Sequence, residues 1–227
     1  MKNIAVFVSG SGSDMQSVID ACEAGEIDGK VVAVIASRPG IFALERAAKH
    51  GIDSRVFSVK DFSSAQEKDA AIVKYLADKD IDLIVLAGYL SIVTKPLLDV
   101  YEGRMINIHP SLIPNHCGKG MYGLHVHESV LAAGDKESGC TVHFVDSGTD
   151  TGKIIEQVRV PVLAGDTPET LQARVLKEEH KLLPRVVARL ANKTEEKGVY
   201  HEKTCIDKRF RQNRDRGSCG KTRRFRI

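Results

Sequence analysis

Along the first half of the chain, short blocks of consecutive apolar residues alternate with segments whose apolar side chains return every three or four positions. The blocks are Ile4–Val8, Val31–Ala36 and Leu83–Ala87, and Arg55–Val59 and Met105–His109 read as further short strands with polar residues among the apolar ones. The periodic segments are Met15–Ala24, Phe42–His50 and Ala65–Lys79. Runs without strict alternation mark strands covered on both faces, and strands that alternate with amphipathic helices predict a parallel sheet built from βαβ units. Ligands of such sheets lie beyond the carboxyl ends of the strands. The loops after Val8, Ala87 and Ile108 are therefore where function is expected.

Past residue 115 the texture changes. HCGKGMYGLH (116–125) is a glycine-rich loop, and Val126–Ala133 a short helix. Gly139–Val145 and Lys153–Val160 read as strands of a long hairpin joined by DSGTDTG. Thr167 followed by Pro168 is a good opening for a long helix, in which Pro184 predicts a kink or a break. The fold class is α/β: a Rossmann-like, mainly parallel twisted sheet with flanking helices and an antiparallel C-terminal extension.

A chain of 227 residues, 42% hydrophobic and 28% charged, suits one large soluble domain with room for an appendage. No apolar run approaches the roughly 18 residues a membrane span needs, and MKNIAVFVSGSG reads as a first strand rather than a signal segment. The five cysteines (22, 117, 140, 205, 219) form no C-x-x-C pair, which fits a reducing cytoplasm rather than a disulfide or zinc framework. The net charge of +3 hides an asymmetry: residues 193–227 carry twelve Lys/Arg against five Asp/Glu, so residues 1–192 are mildly acidic. The division is a domain over 1–192 and a basic tail over 193–227. Few aliphatics and no periodicity make that tail a disordered or peripheral extension; a solvated tail is preferred over a nucleic-acid-binding arm.

Three stretches carry candidate chemistry. SGSGSDMQ (9–16) joins the first strand to the first helix, where glycines and free N–H groups favour an anion. Met15 stands where a dinucleotide fingerprint needs a third glycine, so a phosphate site is favoured over a dinucleotide site. Asp14 suits the helix dipole but competes with a phosphate. NIHPSLIP (107–114) ends a strand with Asn107 and His109 on one face, which is either an ordinary polar strand end or a proton-transfer site. VDSGTDTG (145–152) offers Asp146 and Asp150, either of which could raise the pKa of a neighbouring histidine; spacing does not choose between them. His125 and His127 lack a third ligand at a fixed spacing, so no metal site is assigned.

Taken in order, GSGSDMQ, LAGYLSIV (86–93), NIHPSLIP, GLHVH (123–127), VHFVDSGTDTG (142–152) and ARVLKEEH (173–180) resemble the phosphoribosylglycinamide formyltransferases over about residues 1–190. The resemblance implies the formyltransferase fold and transfer of a formyl group from 10-formyltetrahydrofolate, as co-substrate, to the amine of a glycinamide ribotide in purine biosynthesis, without a metal. It implies catalytic roles for Asn107, His109 and Asp150, and ribotide or phosphate contacts at Gly12, Ser13, Asp14 and Glu179. It also implies a folate-binding loop of Leu90, Ser91, Ile92 and Val93, with folate contacts from Asn107, Asp146 and Asp150, and auxiliary histidines at 125 and 143. The implied partners are small molecules, with no membrane, and a homodimer is compatible.

Three departures stand out: Asp14 where asparagine is common in the family, Ser91 where some members have arginine, and a longer loop at NHCGKGMYG, whose Lys119 could reach an anion. Other folate-dependent formyltransferases and formyl-folate hydrolases are the nearest alternatives. The tail is short for an RNA-binding domain, and a hydrolase is expected to carry a regulatory domain ahead of the first strand. More distant are an NADP-binding Rossmann oxidoreductase using Arg38 and a nucleic-acid-binding protein resting on the tail.

Overall fold

In the computed structural model, which describes residues 1–192, the apolar runs assemble into one seven-stranded sheet. The strands are β1 (Lys2–Val8), β2 (Gly29–Ala36), β3 (Asp53–Val56), β4 (Leu83–Leu86), β5 (Met105–His109), β6 (Glu137–Phe144) and β7 (Ile154–Pro161). Their order across the sheet is β3-β2-β1-β4-β5-β6-β7. The first five are parallel, and β6 and β7 add an antiparallel hairpin against β5. The helices are α1 (Ser13–Glu23), α2 (Phe42–Lys49), α3 (Ala65–Leu76), α4 (Lys95–Tyr101), α5 (Leu124–Ala133) and α6 (Pro168–Ala191).

Side-chain alternation sorts each buried strand between two cores. Ile4, Val6 and Val8 of β1 pack with Met15 and Val18 of α1 and with Leu182, Leu183 and Val186 of α6. Ala5 and Phe7 face the other way, against Ile72 and Leu76 of α3 and Leu97 of α4. On β5, Ile106 and Ile108 enter the first core and Met105 the second. Asn107 and His109 therefore project on the side of Met105, at the end where the strand stops before Pro110.

Three sequence expectations change. α6 runs unbroken through Pro184, which is buried between Leu183 and Val186. A proline inside a helix costs about 3 kcal/mol, and burial of the surrounding apolar face on the sheet outweighs it. β3 lies at Asp53–Val56, and Val59 belongs instead to a single 3-10 turn (Val59–Asp61) capped by Ser58. α4 was not expected: seven residues are too few for a periodic signal, although Thr94 and Pro96 mark its start. The basic tail, and with it the nucleic-acid reading, lies outside the described residues. Among the described residues, no helix is long and apolar enough to cross a membrane.

Candidate active site

The site is built where β5 meets β6. Antiparallel pairing sets Asn107 opposite His143 and His109 opposite Thr141. Nδ1 of His143 donates to the carbonyl of Phe144 at 2.8 Å, so Nε2 of the neutral ring accepts from the Asn107 amide at 3.1 Å. The same amide nitrogen donates at 3.4 Å to Oδ1 of Asp150, which arrives on the β6–β7 loop. Asp150 has a positive φ of 58°, and its Oδ2 accepts from the Gly118 N–H at 2.9 Å. That oxygen is 3.7 Å from Nδ1 of His109, while Oδ1 is 3.6 Å from Nε2 of His143. His109 is only 5% exposed, and its Nε2 donates to the carbonyl of His116 at 3.0 Å. One imidazole edge is thus tied to main chain, and the other is turned toward Asp150.

Electrostatics refine the expected dyad. Burial pushes the His109 pKa down; the His116 carbonyl and Asp150 both push it up, and burial wins. The carboxylate thus acts in the expected sense without raising His109 above its ordinary value, because the desolvation of a cation in this setting is the larger effect. Burial would raise Asp150, but His143, the Gly118 N–H and His109 together hold its carboxyl below the usual range. His127, on α5, is 1% exposed and its Nδ1 has no hydrogen-bond partner. Burial, and then the charge of His109, push its pKa down to about 4, so it is neutral near pH 7.

A second cluster opens α1. Gly12 sits in the left-handed region (φ 72°), and a Cβ there would come within 2.7 Å of the Ala43 Cβ, so only glycine lets the loop lie this close to α2. Ser13 is the first helical residue. Burial pushes Asp14 up to about 6, and the buried Glu179 of α6 is raised by its own burial and then by Asp14. Nε2 of His180 lies 3.7 Å from Oδ1 of Asp14. Arg46 supplies a cation to this loop, its Nε donating to the Ser11 carbonyl at 3.0 Å and its Nη1 to Gln16 at 3.2 Å.

The third element is the loop after β4. Leu90 and Ile92 are 54% and 72% exposed, an apolar ledge with Ser91 and Val93 half-buried between and beside them. Buried groups hold it from behind. Lys68, fully buried on α3, reaches Asp69 at 3.1 Å and donates to the Tyr89 hydroxyl at 3.1 Å. Asp69 accepts from the Thr94 N–H at 2.7 Å and its hydroxyl at 2.6 Å. The Ser9 hydroxyl accepts from the Leu90 N–H at 2.8 Å and from the Ser37 hydroxyl at 2.7 Å, joining three loops at one atom.

The structure therefore gathers Asn107, His109, Asp150 and His143 in one cluster, and Gly12, Ser13, Asp14 and Glu179 around the start of α1. Asp146 is not in the first cluster: it is exposed, and its Oδ1 accepts from the Gly148 N–H at 3.0 Å and the Thr151 hydroxyl at 2.7 Å, bracing the loop that carries Asp150. His125 is not in it either, being exposed, 3.2 Å from Glu128 and edge-on to Tyr122. Lys119 is exposed. Nε of the exposed Arg38 donates to the Ser9 carbonyl at 2.9 Å. Sequence reading missed His116, Arg46, Ser9 and Lys68. Only Lys68 carried a local signal, a charge on the apolar stripe of a helix. Among the described residues, no group of three or more His, Cys, Asp or Glu is placed to hold a metal ion.

The chain thus has a mainly parallel sheet with an Asn–His pair at the end of β5, met by an aspartate from an antiparallel hairpin. Residues 2–187 match the family described as formyl transferase, and the chain belongs to that family. Within the family it is similar to phosphoribosylglycinamide formyltransferases. The enzyme of that name from Haemophilus influenzae is 41% identical over 82% of this chain and 86% of its own length. Glycinamide ribonucleotide transformylase 1 from Symbiobacterium toebii superposes with a TM-score of 0.80 at 40% identity, over 86% of this chain and 92% of that one. The trifunctional purine biosynthetic protein adenosine-3 of Drosophila melanogaster is 46% identical over 85% of this chain, which spans only 14% of that longer protein.

Proposed function

We propose that this protein transfers the formyl group of 10-formyltetrahydrofolate to the amine of phosphoribosylglycinamide, giving formylglycinamide ribotide and tetrahydrofolate. The observation that carries this reading is the convergence of Asn107, His109 and Asp150, within a chain that matches the family from residue 2 to residue 187.

The amine attacks the formyl carbon, forming a C–N bond while the carbonyl oxygen becomes an oxyanion. Asn107 and His109 project from one strand face toward that oxygen. Preorganised donors of this kind lower a barrier by about 3–4 kcal/mol each. The 3.4 Å bond from Asn107 to Asp150 is the weaker of the two its amide makes, so it is the one exchanged for the oxyanion. Asp150 opposes part of the desolvation that depresses the His109 pKa, so the protonated fraction of the ring donates from Nδ1 to the oxyanion and keeps that proton when the oxygen returns to a carbonyl. Ionised Asp150, through a water, relays the proton the amine loses to the N10 nitrogen as its bond to the formyl carbon breaks.

Gly12 and Ser13, with Arg46 at their side, take the ribotide phosphate on main-chain N–H groups, and Glu179 faces the ribotide. Leu90, Ser91, Ile92 and Val93 hold the pterin on an apolar ledge, and Asp146 contributes a further folate contact. A reducing, cytoplasmic setting belongs to the same reading, the five cysteines of the sequence forming no C-x-x-C pair.

The test is tetrahydrofolate release from 10-formyltetrahydrofolate by the purified protein, with and without the glycinamide ribotide. Release that requires the ribotide is expected. Equal release without it would make the protein a hydrolase, and release only with a different amine acceptor would replace the substrate assignment.

A further inference from the structure

The loop between β5 and α5 contains a second polar array that the reaction above does not use. His116 has a positive φ of 51°, a backbone conformation that non-glycine residues rarely adopt. Its ring is pegged on both sides: Nε2 lies 2.8 Å from Oδ2 of Asp135, and Nδ1 lies 2.7 Å from Oγ of Ser129. A carboxylate only accepts, so Nε2 carries the proton toward Asp135, and Nδ1 of the neutral ring accepts from the Ser129 hydroxyl. Ser129 belongs to α5, and Asp135 follows that helix just past its Gly134 cap. Upstream, the Ser111 hydroxyl donates to the Asn115 carbonyl at 2.7 Å, fixing the approach to the loop.

This ring anchors a backbone segment that touches both members of the catalytic dyad. The carbonyl of His116 accepts from Nε2 of His109 at 3.0 Å, and two residues on, the Gly118 N–H donates to Oδ2 of Asp150 at 2.9 Å. A main-chain acceptor on Nε2 keeps the proton of the neutral ring there and leaves Nδ1 as the nitrogen facing Asp150. The carbonyl thus does for His109 what a buried carboxylate does for the histidine of a hydrolytic triad. Ser129, His116 and Asp135 share that triad's composition, but Ser129 lies within a helix rather than on a tight strand-to-helix turn.

We propose that Ser129, His116 and Asp135 form a clamp that positions the catalytic histidine: by pegging the 116–118 backbone, they set the tautomer and aim of His109 and brace Asp150. The proposal rests on the formyl-transfer reading of the site. It makes Ser129, His116 and Asp135 positioning residues, none of which touches substrate.

The test compares His116→Phe, Ser129→Ala, Asp135→Asn and the Ser129→Ala/Asp135→Asn double variant in two readouts. In steady-state formyl transfer, His116→Phe is expected to lower kcat about tenfold or more, with KM for both substrates within about twofold of the parent. The single clamp variants should lose less, and the double variant should approach His116→Phe. In NMR of 15N-histidine protein, His109 should be the Nε2-protonated tautomer in the parent and a mixture of tautomers in the variants. A kcat for folded His116→Phe within twofold of the parent, or an unchanged His109 tautomer, overturns the clamp. Should His116→Phe not fold, the Ser129 and Asp135 variants, which leave the ring in place, decide by the same two criteria. Should the parent transfer no formyl group, the reaction assignment fails, and the tautomer readout still decides the clamp.

Discussion

His109 is a neutral-leaning imidazole held between a carbonyl and a carboxylate, and its chemistry depends on both. Replacing it with alanine is expected to lower kcat by about 10³-fold, the size of one lost oxyanion donor, while circular dichroism reports an intact fold. Retention of more than a few per cent of activity would remove His109 from the mechanism. Asp14 makes the opposite kind of prediction. Its pKa in the fold, about 6, is above the ordinary carboxylate value, so the fold prefers its protonated form. That stability is fully present below the unfolded pKa and is lost as pH rises through about 6. Asp14→Asn is therefore expected to be more stable than the parent at pH 8, by on the order of 1–3 kcal/mol, and close to it at pH 4. Removing the charge should also lower the KM for the ribotide at pH 8. Urea titrations at the two pH values, paired with ribotide kinetics, check both statements.

At the scale of elements, loops of the candidate site are held by side chains from neighbouring elements, as Arg46 of α2 holds the Ser11 carbonyl. The ledge at 90–93 depends on α3 through the buried Lys68–Asp69 pair. Breaking such a pair from one side leaves an uncompensated buried charge, so Asp69→Ala should cost about 3–5 kcal/mol and raise the KM for the folate. Lys68→Met with Asp69→Asn removes both charges while the amide oxygen still accepts from Thr94, and should cost much less. Thermal unfolding and folate kinetics of the two variants separate these outcomes. Much of this architecture was legible in the sequence. The apolar runs of β1, β2, β4 and β5 and the Thr167-Pro168 start of α6 follow from local rules, and alternation alone put Asn107 and His109 on one face. Other features depend on tertiary contact. Nothing local distinguishes Asp146 from Asp150; the hairpin's path spends the first on its own loop and delivers the second to His109. Pro184 breaks isolated helices, and only the sheet beneath α6 overrides it. Arg46 and Ser9 gain their roles from partners many residues away, which no short window contains.

For the molecule as a whole, acid should weaken the fold through buried histidines. His127 falls from an ordinary 6.5 to about 4 in the fold, and His109 is lowered in the same direction. A depressed histidine contributes stability that is complete above pH 6.5 and is lost as pH falls toward its folded pKa. His127 alone should account for on the order of 3 kcal/mol between pH 7 and pH 4. His127→Gln should flatten that slope, which also separates it from the opposite trend of Asp14 and Glu179. Removing residues 193–227 should leave turnover within about twofold, since every group assigned to the reaction lies before residue 193; a larger loss in kcat would make the tail part of the enzyme. The seam between β5 and β6 has one more consequence, which concerns synthesis in time. A ribosome releases β1 to β5 some thirty residues before β6 begins and some forty before Asp150 emerges. Until then His109 has no carboxylate and Asn107 no histidine across from it. A chain interrupted anywhere in that interval lacks Asp150 and also α6, whose Leu182, Leu183 and Val186 close the core over β1, so the site is assembled only once that last helix has been made.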